Sequence, residues 1–128
     1  MSATQKPIWR VLVVKMTNET KWQSIDVKAE VTLLPSEESG RKTGITSGYR
    51  PNHNFGSAEN TDMRMGQITV PQDQWIEPGK SKDVLIKFLM PEDHPINLVS
   101  GLIWRIQEGS RHVGNGKILK IISTDDSN

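Results

Sequence analysis

Ile106-Gln107-Glu108-Gly109-Ser110-Arg111-His112-Val113-Gly114-Asn115-Gly116-Lys117-Ile118 reads as a strand, a tight turn and a returning strand. Glu108-Gly109-Ser110-Arg111 supplies the Gly and Ser that turns favour, because Gly carries no Cβ to clash at positive φ. Ahead of the turn, Leu102, Trp104 and Ile106 alternate with Ile103, Arg105 and Gln107. That period of two gives one apolar and one amphipathic face. After the turn, Gly114 and Gly116 mark a bulge or a close approach by another backbone. The strand then recovers through Lys117 to Ile122.

Working outward, the same period recurs. In Ser24 to Leu34, Ile25, Val27, Ala29, Val31 and Leu33 point one way, and Asp26, Lys28, Glu30 and Thr32 the other. Val84, Ile86, Phe88 and Met90 alternate likewise within Asp83 to Met90. One buried and one wet face is the habit of antiparallel sheets. Shorter strands are expected at 43–47, 52–55 and 66–70, separated by turns at 35–40, 48–51 and 78–79. Ile8-Trp9-Arg10-Val11-Leu12-Val13-Val14 reads as an extra N-terminal strand. No helix longer than a turn has a convincing period. The pattern argues an all-β barrel or sandwich.

Composition narrows the function. The chain has 128 residues, 34% of them hydrophobic, which is one domain with a real core. Its 16 basic and 15 acidic residues leave a formal charge of +1, so any RNA contact must come from local clustering. There is no cysteine, hence no disulfide, thiol nucleophile or Cys-based zinc site. Residues 8–14 are too short and polar-flanked for a signal peptide or membrane span, so a cytoplasmic location with no membrane partner is expected.

Catalytic motifs fail on inspection. Gly79-Lys80-Ser81 resembles the end of a phosphate-binding loop, but Gln74 stands where that motif has its first Gly, and a strand follows rather than a helix. His53, His94 and His112 lack the spacing of metal ligands, so no metal is expected. No Ser-His-Asp arrangement is supported by an elbow motif. The chain is therefore expected to be no enzyme and to need no cofactor.

The ordered set Ala29-Glu30-Val31, Gly40-Arg41, Gly48-Tyr49-Arg50-Pro51, Phe55, Pro78-Gly79 and Glu108-Gly109-Ser110-Arg111-His112-Val113-Gly114-Asn115-Gly116 resembles the C-terminal, third domain of elongation factor Tu and its relatives. The likeness spans roughly residues 24–122. It implies a six-stranded closed antiparallel barrel, here with the extra N-terminal strand. The expected divisions are a leader, extra strand and linker (1–23), the barrel (24–122) and a disordered acidic tail (123–128). Arg10 to Lys15 also resembles the last strand of that factor's middle barrel.

In that family the barrel packs on a GTPase domain, supports the T-stem of aminoacyl-tRNA and contacts the exchange factor. By motif position the resemblance implies nucleic-acid contact at Arg41, Asn52, Glu108 and Gly109, and a protein-facing region at Arg50 and Arg111. The sequence departs from the family at Asn52, where the family has glutamine, at Gly56, where it has a basic residue, and at Ser110, where it has glycine. Trp9, Trp22 and Trp75 lie in the least family-like stretches and are candidate protein anchors. The bland alternative for Arg41, Arg50 and Arg111 is pairing with Glu30, Glu108 or loop acids to order the barrel.

The expected function is thus a stand-alone, non-catalytic binding domain for tRNA or a translation-related protein, with no GTP bound by this chain alone. The alternative is a protein-interaction module that mimics the barrel, such as an antitoxin, immunity or regulatory protein, without RNA binding. Residues 8–14 could also join two copies of the chain into a homo-oligomer, because an apolar strand without a partner invites association.

Overall fold

The computed structural model describes residues 21–127. The expected strand at 8–14, with Trp9, lies outside the described residues, and so does the oligomer contact it was expected to make. Six strands form one sheet that closes on itself: β1 (Trp22–Leu33), β2 (Asn52–Asn54), β3 (Met63–Thr69), β4 (Ser81–Pro91), β5 (Ile103–Glu108) and β6 (Arg111–Ser127). Around the barrel the order is β1-β4-β3-β2-β5-β6, and every neighbouring pair is antiparallel. Closure removes the free sheet edges that invite aggregation.

The period-two sequences become the walls. Ile25, Val27, Ala29, Val31 and Leu33 of β1 face inward, against Val84, Ile86, Phe88 and Met90 of β4. Ile25 lies opposite Phe88 and Val27 opposite Ile86 in the ladder. Ile45, Ile68, Val70, Ile76, Trp104, Ile106, Val113 and Ile118 complete the interior. At roughly 1.5–3 kcal/mol per fully buried large apolar side chain, this interior is the main force opposing chain entropy.

The opening stretch forms the β5–β6 hairpin, with Glu108 opposite Arg111. Of the two central turn residues only Gly109 has positive φ, at 62°, which is the II′ pattern that matches strand twist. The pairing slips between Ile106 and Gln107, so Val113 has no opposite on β5. This bulge turns Val113 into the core, and its carbonyl accepts the Leu34 N–H at 2.9 Å. Gly116 lies opposite Trp104, and a Cβ there would overlap the indole ring. The close approach by backbone expected at these glycines is thus found at Gly114, against the Thr32 carbonyl oxygen, whereas at Gly116 the neighbour is a side chain.

Three expectations are corrected. The stretch 43–47 is no strand; a single bridge joins Ile45 to Ile76. Trp22 and Gln23, placed in the linker, open β1. The tail is not frayed through its described length: β6 runs to Ser127, pairing Ser123 with Asp26 and Asp125 with Ser24. The start of β1 needs a ladder partner on its β6 side, and polar residues supply backbone hydrogen bonds as well as apolar ones. Ser123 adds a side-chain bond to Asp26 at 3.0 Å. The turn at 35–40 contains a one-turn helix, α1 (Ser36–Ser39), closed by Gly40 at φ 77°. No helix among the described residues is long and apolar enough to cross a membrane.

Candidate functional site

One carboxylate ties together the segments that carry most of the sequence candidates. Arg41 follows the Gly40 cap of α1, and its backbone N–H donates to Ser39 Oγ at 3.0 Å. Its guanidinium donates to the Thr43 carbonyl at 3.1 Å and the Gly44 carbonyl at 3.0 Å, and pairs with Glu108. The same guanidinium lies over the Tyr49 ring, 5.3 Å from its centroid. Tyr49 donates its hydroxyl to Glu108 Oε2 at 2.6 Å, and Arg111 meets Glu108 Oε1 at 3.5 Å. Burial, together with the hydrogen bond to Glu108, raises the Tyr49 phenol well above its ordinary value, so it stays a donor. Glu108 thereby locks the 39–44 loop, Tyr49 and the closing turn into one unit.

Gly109 and Arg111 remain exposed beside this lock. Asn52 pairs in register with Gln107, one residue before Glu108, so β2 brings Asn52 to the same end of β5 as the turn. Arg50 is exposed two residues earlier, its Nε donating to Gln67 Oε1 at 2.8 Å. Arg50, Asn52, Met65, Gln67, Lys87 and Leu89 line an open groove of about 450 Å³ across β2, β3 and β4. A smaller hollow of about 240 Å³ adjoins it at Met65 and Leu89, and Trp22 and Met63 belong to its lining.

Beneath the turn lies a buried polar network that the sequence pattern hid. Alternation sends Gln107 to the wet face, yet it is buried. Its Nε2 donates to the Gly109 carbonyl at 3.0 Å, and its Oε1 accepts from Asn54 Nδ2 at 2.8 Å and Arg105 Nε at 3.1 Å. Asn54 Oδ1 in turn accepts the N–H groups of Gly56 and Asp62, both at 2.9 Å. The turn backbone is therefore held from below as well as from the side.

His53 is fully buried. Its Nδ1 accepts the Trp104 indole N–H at 3.0 Å, which leaves Nε2–H to donate to the Gly66 carbonyl at 3.1 Å. Phe88 packs on it edge-on with centroids 4.9 Å apart. Burial pushes its pKa down to about 4. Among the described residues no cluster of His, Cys, Asp or Glu could hold a metal ion. The Gly79-Lys80-Ser81 stretch forms a turn in which Gly79 N–H donates to the Leu33 carbonyl at 3.0 Å, and β4 follows it.

The structure thus gathers Arg41, Glu108, Gly109 and Arg111 at the turn and brings Arg50 and Asn52 to the adjoining strand end. Trp22 lies further along the groove face. Trp75 stands apart, exposed just after the 3₁₀ turn Pro71–Asp73. Tyr49, Asn54 and Gln107 were missed as site residues. Tyr49 carried a signal, its place in Gly48-Tyr49-Arg50-Pro51; Asn54 and Gln107 carried none, because their burial depends on the loop 56–62 and the bulge.

The family model described as the elongation factor Tu C-terminal domain matches residues 21–122. Those limits run from the entry to β1 into β6, and so take in β1 to β5, β6 as far as Ile122 and the turn that Glu108 locks. The chain belongs to the elongation factor Tu C-terminal domain family.

Proposed function

We propose that this barrel is a non-catalytic binding domain for structured RNA of the tRNA kind. The observation that carries the reading is the register of β2 on β5, in which exposed Asn52 lies opposite Gln107, so that Asn52 and the exposed Arg50 two residues before it come to the same end of β5 as the exposed Gly109 and Arg111 of the turn. Arginine guanidinium and turn backbone N–H groups are donors suited to phosphate oxygens, and structured RNA is read through its shape, phosphates and 2′-hydroxyls. Family membership supports the choice of a translation ligand. In this reading Arg41 and Glu108 shape the turn without touching RNA, since Arg41 already serves Thr43, Gly44 and Glu108. Arg50 and Arg111 supply the charge, and Asn52 a neutral hydrogen-bonding group.

A second reading, a protein partner, is favoured by one feature. The groove floor is apolar at Met65 and Leu89. The two readings separate in one experiment: binding of fluorescently labelled bulk tRNA by the full chain and by Arg50→Glu/Arg111→Glu and Met65→Asp variants. Loss in the charge-reversed variant with retention in Met65→Asp supports RNA binding. Unchanged affinity in the charge-reversed variant, or no binding by the native chain, overturns it.

A further inference from the structure

We propose that the far end of β6, Lys120 to Asp125, is a dimerisation edge that pairs antiparallel with the same stretch of a second copy of this chain. Three observations lead there. The first is that β6 outruns the closed wall. β5 begins at Ile103, opposite Lys117. Beyond that pair the Gly101 N–H donates to the Ile118 carbonyl at 2.8 Å and the Ile118 N–H to the Leu102 carbonyl at 2.9 Å. The Ser100 hydroxyl then reaches the Leu119 carbonyl at 3.2 Å. From Lys120 to Asp125, β6 pairs with β1 alone. Among the described residues nothing bonds to the backbone of this stretch on the side away from β1. A strand edge with open N–H and C=O groups therefore stands beyond the wall that closure seals.

The second observation is what the edge carries. Every residue from Lys120 to Asp125 is exposed, Ile121 to 37% and Ile122 to 51%. Natural free edges are commonly shielded by charge or proline. Here Ile121, Ile122, Ser123 and Thr124 run without either, and their β-branched members suit a pleated ladder. Lys120 and Asp125 close the two ends of the run, and neither has an ion-pair partner among the described residues.

The third is self-complementarity. When the stretch meets a second copy of itself antiparallel, Lys120 faces Asp125, Ile121 faces Thr124 and Ile122 faces Ser123, and the two-fold axis repeats each pair. Opposed residues of an antiparallel ladder must point to one face. In an unbroken strand residues 120 and 125 point to opposite faces. A bulge removes that conflict. Asp26 pairs with Ser123 and Val27 with Ile121, so Ile122 is an extra residue and the alternation shifts by one. Lys120 stands opposite Lys28 and Asp125 opposite Ser24, which share a face of β1, so Lys120 and Asp125 share a face of β6. The chain's own edge thus supplies both charges in the required register, which selects a second copy as the occupant. Arg111 starts β6 nine residues before Lys120, roughly 30 Å along the strand, so the dimer edge and the RNA-directed turn are separate.

So short an edge makes a reversible dimer, expected to form at about 0.1 mM protein. Sedimentation equilibrium of the full chain, without RNA, reads it. Lys120→Asp and Asp125→Lys each set like charges face to face and are expected to weaken dimerisation about tenfold, whereas the double variant Lys120→Asp/Asp125→Lys restores it. Thermal midpoints check that the variants fold. A native chain that stays monomeric to about 1 mM, single variants that dimerise like the native chain, or a double variant that fails to recover, overturns the proposal. Crosslinking gives a second reading, because the chain has no cysteine. Under mild oxidation, a mixture of Lys120→Cys and Asp125→Cys proteins forms the mixed disulfide dimer in clear excess over a mixture of Lys117→Cys and Asp125→Cys proteins; equal yields overturn the proposal. Neither readout involves RNA, so failure here is distinct from failure of the RNA assay.

Discussion

Glu108 is the residue on which the closing turn depends, since Arg41, Tyr49 and Arg111 all converge on its carboxylate. Removing it leaves a partly buried guanidinium and a phenol without their acceptor, which costs more than removing the phenol's hydroxyl alone. Glu108→Ala is expected to lower unfolding stability by about 2 kcal/mol and Tyr49→Phe by about 1 kcal/mol, measured by urea denaturation. Equal, negligible losses in both would show that the lock does not form. His53 gives a pH signature at the same scale. Burial holds its folded pKa at about 4, below the ordinary histidine value of 6.5, so the unfolded chain binds the extra proton first. The contribution of neutral His53 is complete above pH 6.5 and is lost as pH falls toward 4, about 3 kcal/mol over the window. Protonation would also set a new N–H against the Trp104 indole N–H that Nδ1 now accepts. The His53 ring signals should stay those of the neutral Nε2–H tautomer down to near pH 4; titration near 6.5 in the folded protein would contradict this.

At the scale of elements, the β5–β6 hairpin was legible because its turn needs Gly109 and its wall needs Gly116. Gly116 stands against the Trp104 ring, where any Cβ forces the indole or the strand to move. Gly116→Ala is expected to cost about 1–3 kcal/mol by overpacking, with a change in Trp104 fluorescence, whereas Lys117→Ala on the outer wall is near neutral. β1 and β4 were legible for a different reason: their period of two is unbroken over the buried positions. The 43–47 stretch misled because Ile45 is buried by a single bridge rather than a ladder. Apolar content alone cannot distinguish those cases. The tail misled in the opposite direction. Ser123 to Asp126 carries no apolar pattern, but it pairs because β1 extends far enough to receive it. Likewise the Gln107 and Asn54 network depends on a bulge and a loop that local periodicity does not encode. The candidate residues were readable as types and motifs, and pairing of Arg41 with Glu108 was among the alternatives; its bonds to the Thr43 and Gly44 carbonyls, set by the loop after α1, were not.

For the molecule as a whole, closure joins the first strand to the last. Ending the chain after Ile122 would remove the partners of Trp22 to Asp26 on the β6 side while leaving those on β4. The shortened barrel should still fold and unfold at a temperature several degrees lower, at the ~4–8 °C per kcal/mol typical of a domain this size. An unchanged midpoint would mean the terminal ladder contributes nothing. The near-neutral charge of +1 makes non-specific attraction to nucleic acid weak, so the proposed RNA binding would have to come from the Arg50–Asn52 edge and the Gly109–Arg111 turn. The most direct measurement is the affinity of the native full chain for labelled tRNA across a series of salt concentrations. Two or three phosphate contacts predict that log affinity falls with log salt at a slope of about −2, with competition by tRNA and none by mononucleotides. Salt-independent binding, or no binding at the lowest salt, would contradict the account.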